Sequence, residues 1–209
     1  SNTEHLEETR KAIEKIGDQL KIIHNEFGEH YTPTQSTYEL LRQVTEEYAC
    51  FNGDDDYHVP DALTDCTNFL KNNLDYATAT SLTVNFKLDR SGAYGKLAVI
   101  KDYPRPEIHH PKASERVIAY LNRYFVPIIS VNRTANMVKA WQNYDKASDL
   151  AFASEIIPST LSIIDGKAKT LDRLGIVRQM HDRQFSLAFI YDWLIHKDWQ
   201  VSHEVFLKI

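Results

Sequence analysis

Arg178 and His181 stand three positions apart, with Arg183 just beyond, and they hold the densest basic chemistry in the chain. On a helix the first two lie one turn apart, so a guanidinium and an imidazole share a face. Lys167 and Lys169 precede them on a predicted hairpin. Such a group suits a carboxylate or phosphate ligand, because guanidinium hydrogen bonds to anions are charge-assisted. The same residues also fit a solvated basic stripe, and no glycine-rich phosphate loop accompanies them.

His109 and His110 sit in a proline-rich loop with Asp102 and Glu107 nearby. Imidazoles shuttle protons or bind transition metals near neutral pH. Together with Arg178 and His181, this loop is the basis for an enzyme reading of the hydrolase or phosphoryl type. Adjacent side chains seldom point to one place, and neither a His-Glu-x-x-His nor a Gly-x-Ser-x-Gly motif occurs. No catalytic residue is assigned, and no cofactor is expected. Asp54, Asp56 and His58 alternate in an acidic loop whose oxygens suit calcium or magnesium. Their spacing departs from an EF-hand loop, so a solvated acidic loop is preferred and no metal site is assigned.

Tyr94, Tyr103, Tyr120, Tyr124, Trp141 and Tyr144 crowd the middle of the sequence. Flat rings with polar tips line pockets for apolar or cationic ligands, and they equally well fill cores. Tyr94, Tyr103, Tyr120, Tyr124 and Trp141, joined by Arg178 and His181, form the expected ligand-binding set.

The elements that must position these groups begin with a helical stripe. Leu6, Ile13, Ile16, Leu20, Ile23 and Phe27 recur at spacings close to a heptad, which predicts one rod over residues 3–27, roughly 36 Å long, that Gly17 weakens without ending. Thr32-Pro33 opens a second helix running to Tyr48 and closed by Asn52-Gly53, and Pro60 opens a third that buries Leu63, Cys66, Leu70 and Leu74. Leu82, Val84, Phe86 and Leu88 alternate as a half-buried strand, which turns at Asp89–Gly92 and returns over Leu97–Ile100. Further expectations are helices carrying Val117 to Tyr124, Met137 to Trp141, and Leu150 to Ile157 ending at Pro158, with a short strand over Ile128–Val131. Asp165-Gly166 suits a type I′ hairpin between strands Leu161–Ile164 and Lys167–Leu171. A long helix through Leu174, Val177, Leu187, Tyr191 and Leu194 and a last strand through Val201, His203, Val205 and Leu207 complete the reading. The fold class is α+β: a long first helix and two more, then a mixed, mainly antiparallel sheet interleaved with helices. Residues 1–76 form the helical region and 77–209 the sheet-containing region, packed as one unit.

Composition narrows the function classes. Twenty-four Lys and Arg against 29 Asp and Glu leave a net charge of −5, which disfavours a nucleic-acid binder that must neutralise phosphates. A helix-turn-helix reading of Thr34 to Tyr48 meets opposing glutamates. No apolar run is long enough to span a membrane. Cys50 and Cys66 either form one disulfide or remain two thiols. The first residue is not Met, Ser1-Asn2 reads as a cleavage remnant, and the chain stops inside an apolar pattern, so it reads as a segment of a longer protein.

In element order, a long heptad-like first helix entering a sheet-bearing domain, the chain resembles in outline extracytoplasmic PAS-like sensor domains, where the first helix continues from a membrane segment. The resemblance implies a ligand-sensing or binding domain of a signalling protein, with a small-molecule ligand and a periplasmic or extracytoplasmic location favoured over a cytoplasmic one. Self-association through Leu6, Ile13, Ile16 and Leu20 defines the further reading, a protein-interaction or assembly module.

Overall fold

The computed structural model describes residues 6–17, 19–28, 30–90, 94–142, 146–181 and 194–208. Among these residues the helices are α1 (Leu6–Ile16), α2 (Pro33–Leu41), α3 (Pro60–Asn72), α4 (Ala113–Asn122), α5 (Thr134–Trp141), α6 (Ile157–Asp165) and α7 (Lys197–Phe206). The strands are β1 (Tyr48–Ala49), β2 (Asp56–His58), β3 (Tyr76–Leu88), β4 (Leu97–Tyr103), β5 (Val131–Arg133) and β6 (Lys167–Gln179). They form one curled, mixed sheet in the order β1-β5-β3-β6-β2, with β4 on the other end of β3. The fold is α+β.

The sheet is organised by two long strands. β3 and β6 run parallel over almost their whole length, while every other pairing is antiparallel. β3 is long enough to serve two partners on its far edge: Thr78 and Ala79 pair with β5, and Thr83 to Leu88 pair with β4. On one face α3 packs Cys66 and Leu70 against Ala79 and Val131. Ala168 pairs opposite Thr78, out of phase with Ala79, so it faces the other way. There it meets Tyr120 of α4, Ile163 of α6, Phe125 and Ile108.

The close approach of α3 to the sheet needs Gly175, whose missing Cβ would lie 2.4 Å from the Ser81 Cβ and 2.7 Å from the Ala62 Cβ. Pro60 opens α3 as expected, and Thr32 caps α2 by accepting from the Gln35 N–H at 3.2 Å. β3 and β4 pair antiparallel and α5 lies where the periodicity put it, while α4 ends at Asn122, short of Tyr124; of the turn expected at Asp89–Gly92, Ser91 and Gly92 lie outside the described residues.

Several expectations are overturned. α1 ends at Ile16 next to Gly17, and no residue of it is buried. A helix of eleven residues without a packed face is marginal, and Gly17 is a sufficient stop. The Arg10 guanidinium grips both oxygens of Glu26, at 2.7 and 2.5 Å, so the following segment folds back along the helix instead of extending a rod. Leu20 and Ile23 stay exposed. α2 stops at Leu41; Tyr48 instead enters β1, and Asn52-Gly53 belongs to the β1–β2 loop. Leu74 lies beyond α3 and is exposed.

In β3 the register shifts around Leu82, which is 45% exposed while Thr83 is 4% exposed. The irregularity turns Leu82 outward and Thr83 inward, while Val84, Phe86 and Leu88 beyond it are half-buried. Residues 127–129 form a single 3₁₀ turn before β5.

The largest corrections lie after Leu150. Helix continues through Pro158, because a π-helical turn over Phe152–Ile156 widens the backbone just ahead of the ring. Leu161–Ile164 is thus helical, not a hairpin strand. Gly166 is fully extended (φ −179°) rather than in a type I′ turn, and β6 pairs with distant β3. Leu174 and Val177 lie on β6, not on a helix; Leu187 and Tyr191 fall outside the described residues, as do Tyr144 and Arg183. The final strand is helix α7. His196 caps it, and Trp199, Val205 and Phe206 pack onto Phe152 and Ile157 at helical spacing.

Among the described residues no helix is long and apolar enough to cross a membrane. Cys50 and Cys66 are both thiols, and burial pushes both up in pKa.

Candidate functional site

After β4 the chain runs Pro104-Arg105-Pro106, two residues without N–H donors that hold the backbone extended around one arginine. This strap is fastened to β6: Thr170 Oγ1 donates to the Arg105 carbonyl at 2.7 Å, and Ile108 and Ala168 exchange backbone hydrogen bonds of 2.9 Å. The arrangement turns the Arg105 side chain inward, where it is 6% exposed. Nη2 donates to Ser130 Oγ at 2.8 Å, and the rings of Phe125 and Tyr103 lie 5.6 and 5.7 Å from the guanidinium. Among the described residues Nε and Nη1 have no hydrogen-bond partner.

Two other arginines of the fold show what a structural arginine looks like here. Arg116 is buried, and its three nitrogens donate to four carbonyls: Ile163 and Ile164 at the end of α6, and His110 and Pro111. Arg133 donates to the Leu70 and Asn73 carbonyls at the end of α3. Both sit at helix C-termini, where orphan carbonyls and the helix dipole favour a cation. Arg105 has neither. Burial pushes its guanidinium down to about 10, so it remains charged at neutral pH.

A second guanidinium stands on the same ring. Arg178 lies 5.4 Å from the Tyr103 centroid and reaches Asp56 through Nε at 3.2 and 3.3 Å. The pairing follows from register, since Asp56 of β2 lies directly opposite Arg178 of β6. Burial raises the Asp56 carboxyl above its ordinary value, with Arg178 opposing. His58 donates through Nε2 to the Phe51 carbonyl at 3.1 Å as the neutral ring, and burial lowers its pKa. At the rim His181 approaches Asp55 at 3.3 Å.

Around Tyr103 the buried Arg105 and the half-buried Arg178 thus stand with one buried carboxylate, Asp56. The Ser130 that accepts from Arg105 also lines a cavity of about 10 Å³ with His58, Cys66, Thr80 and Gly175. That is the room of about one water.

This geometry redistributes the residues expected to bind ligand. Arg178, His181 and Tyr103 do come together, on strand β6, at its end and on β4, rather than on a helix. The acidic loop joins them: the cation facing Asp56 is Arg178, and among the described residues no group of three or more His, Cys, Asp or Glu is placed to hold a metal ion. Tyr94 is 86% exposed and Trp141 packs on Phe51 near α2. Tyr120 is buried in the α4–α6 core with its ring tilted against that of Tyr124, which is 40% exposed and donates to Glu155; desolvation raises both phenols.

Lys167 and Lys169 are engaged by Asp75 and Glu107. Arg105 is the residue that sequence reasoning missed, and the flanking prolines were the available signal. No family model matches the chain, and no curated protein is significantly similar to it in sequence.

Proposed function

We propose that this chain is a ligand-binding domain whose ligand presents a carboxylate or similarly small anionic group to Arg105, beside Tyr103 and Arg178. The observation that carries this reading is the buried, charged Arg105 with Nε and Nη1 unpartnered, in a fold that fully supplies Arg116 with carbonyls. An unpaired buried charge costs several kcal/mol, and a small anion with hydrogen-bond acceptors offsets that cost.

Titration with formate and acetate, against formamide as an uncharged isostere, tests the proposal. The acids raise the unfolding temperature in a concentration-dependent manner, by mass action on the folded state, and formamide does not. Arg105→Met abolishes the response and Arg116→Lys, remote from the cavity, retains it. Equal responses to formate and formamide, or an unchanged response in Arg105→Met, contradict the assignment.

A further inference from the structure

A second constellation lies along the same strap and uses none of Arg105, Tyr103, Arg178 and Asp56. Tyr76 begins β3, and its Oη lies 3.0 Å from Nδ1 of His109. The other ring nitrogen, Nε2, lies 2.5 Å from Oε2 of Glu107. Glu107 is itself held, because its Oε1 meets Lys169 Nζ at 2.6 Å. The Ile108–Ala168 bridge fixes the backbone between Glu107 and His109 against β6, so the three side chains are set by the sheet and not by a free loop. Lys167, paired with Asp75 at 2.6 Å, places its ammonium 5.6 Å from the Tyr76 ring centroid.

The chemistry of this order is directional. A carboxylate at Nε2 fixes the tautomer with its proton there, which leaves the Nδ1 lone pair to accept from the phenol. Nucleophile, base and orienting carboxylate then stand in line within hydrogen-bond reach. A purely structural ion pair needs no phenol at the far nitrogen.

We infer that Tyr76 is an activated nucleophile that accepts an acyl group from an activated ester, with His109 as its general base and Glu107 as a positioning residue. In the step Tyr76 Oη bonds to the acyl carbon, and the ester bond to the leaving oxygen breaks with its electron pair. The phenolic proton passes to His109 Nδ1. The product is an acyl-tyrosine, and the alkoxide or aryloxide departs.

The test uses p-nitrophenyl acetate and peptide mass spectrometry on the intact chain. Tyr57 and Tyr94 are 59% and 86% exposed and serve as unassisted tyrosines in the same molecule. Assistance of this kind accelerates labelling of Tyr76 by about a hundredfold over them. His109→Ala brings Tyr76 down to their rate, and added imidazole restores part of it. Glu107→Gln falls between, and Glu107→Asp recovers more than Gln does. Labelling of Tyr76 in the unmodified chain no faster than of Tyr57 and Tyr94 overturns the inference without any variant, and so does a His109→Ala chain labelled at the original rate. Neither result bears on the Arg105 site, whose titration with formate uses different residues.

Discussion

Replacing Arg105 by Met stabilises the ligand-free protein. Met keeps most of the aliphatic volume between Tyr103 and Phe125 while removing the charge. The fall of the guanidinium from 12.5 to about 10, at roughly 1.4 kcal/mol per tenfold change in acidity, places about 3 kcal/mol of penalty on the folded state at neutral pH. Against this, Ser130 Oγ loses its buried donor, which costs about 1 kcal/mol. The net expectation is a gain of about 2 kcal/mol, in the range found when buried ionic groups are exchanged for apolar ones.

Urea unfolding in an amine buffer free of added carboxylate measures it, with the two chains compared at equal m-values. Arg116→Met is the companion, and it loses about 3–5 kcal/mol because four carbonyls lose their donor. With acetate present the order of the Arg105 pair narrows or reverses, since only the arginine form binds. If Arg105→Met is less stable than the parent by about 1 kcal/mol or more in the carboxylate-free buffer, the guanidinium is already compensated without ligand, and the reasoning for an anion site fails.

Two further expectations follow from single positions. Gly175→Ala forces a Cβ to within 2.4 Å of Ser81 and 2.7 Å of Ala62, so α3 must lift from the sheet at a cost of about 1–3 kcal/mol, read as a lower urea midpoint. A midpoint unchanged by that substitution contradicts the packing described. His58 has a folded-state pKa below its ordinary 6.5 because burial disfavours the charged ring. Its contribution to stability is therefore complete above 6.5 and drains away as pH falls through the folded value. His58→Gln cannot titrate, so its stability declines less between about pH 7 and about pH 5 than that of the parent; parallel profiles would count against it.

Local chemistry in the sequence determined much of the first half of this fold. Pro60 with the apolar positions Leu63, Cys66 and Leu70 specifies α3, because ring geometry and helical spacing act within a few residues. The same holds for β3 and β4, two strands close in sequence that pair antiparallel. Among candidate site residues, the types were legible: Arg178, His181, Asp56 and Tyr103 were each marked by charge or ring before any coordinates.

Their meeting was decided only by tertiary structure. β6 pairs with β3 across some ninety residues, and no periodicity within Lys167–Gln179 encodes a partner so far away. That pairing makes Arg178 a strand residue and sets it opposite Asp56, and it lets the strap carrying Arg105 dock on Thr170. Leu161–Ile164 illustrates the limit from the other side: a short apolar run suits strand or helix equally, and burial against α4 and α5 selected the helix. The stretch from Gly17 onward shows the converse, since a heptad stripe with no surface to bury it on does not hold a rod. Spacing states which faces a segment can present; only long-range packing decides which of them is used, because burial free energy exists only once the distant partner is in place.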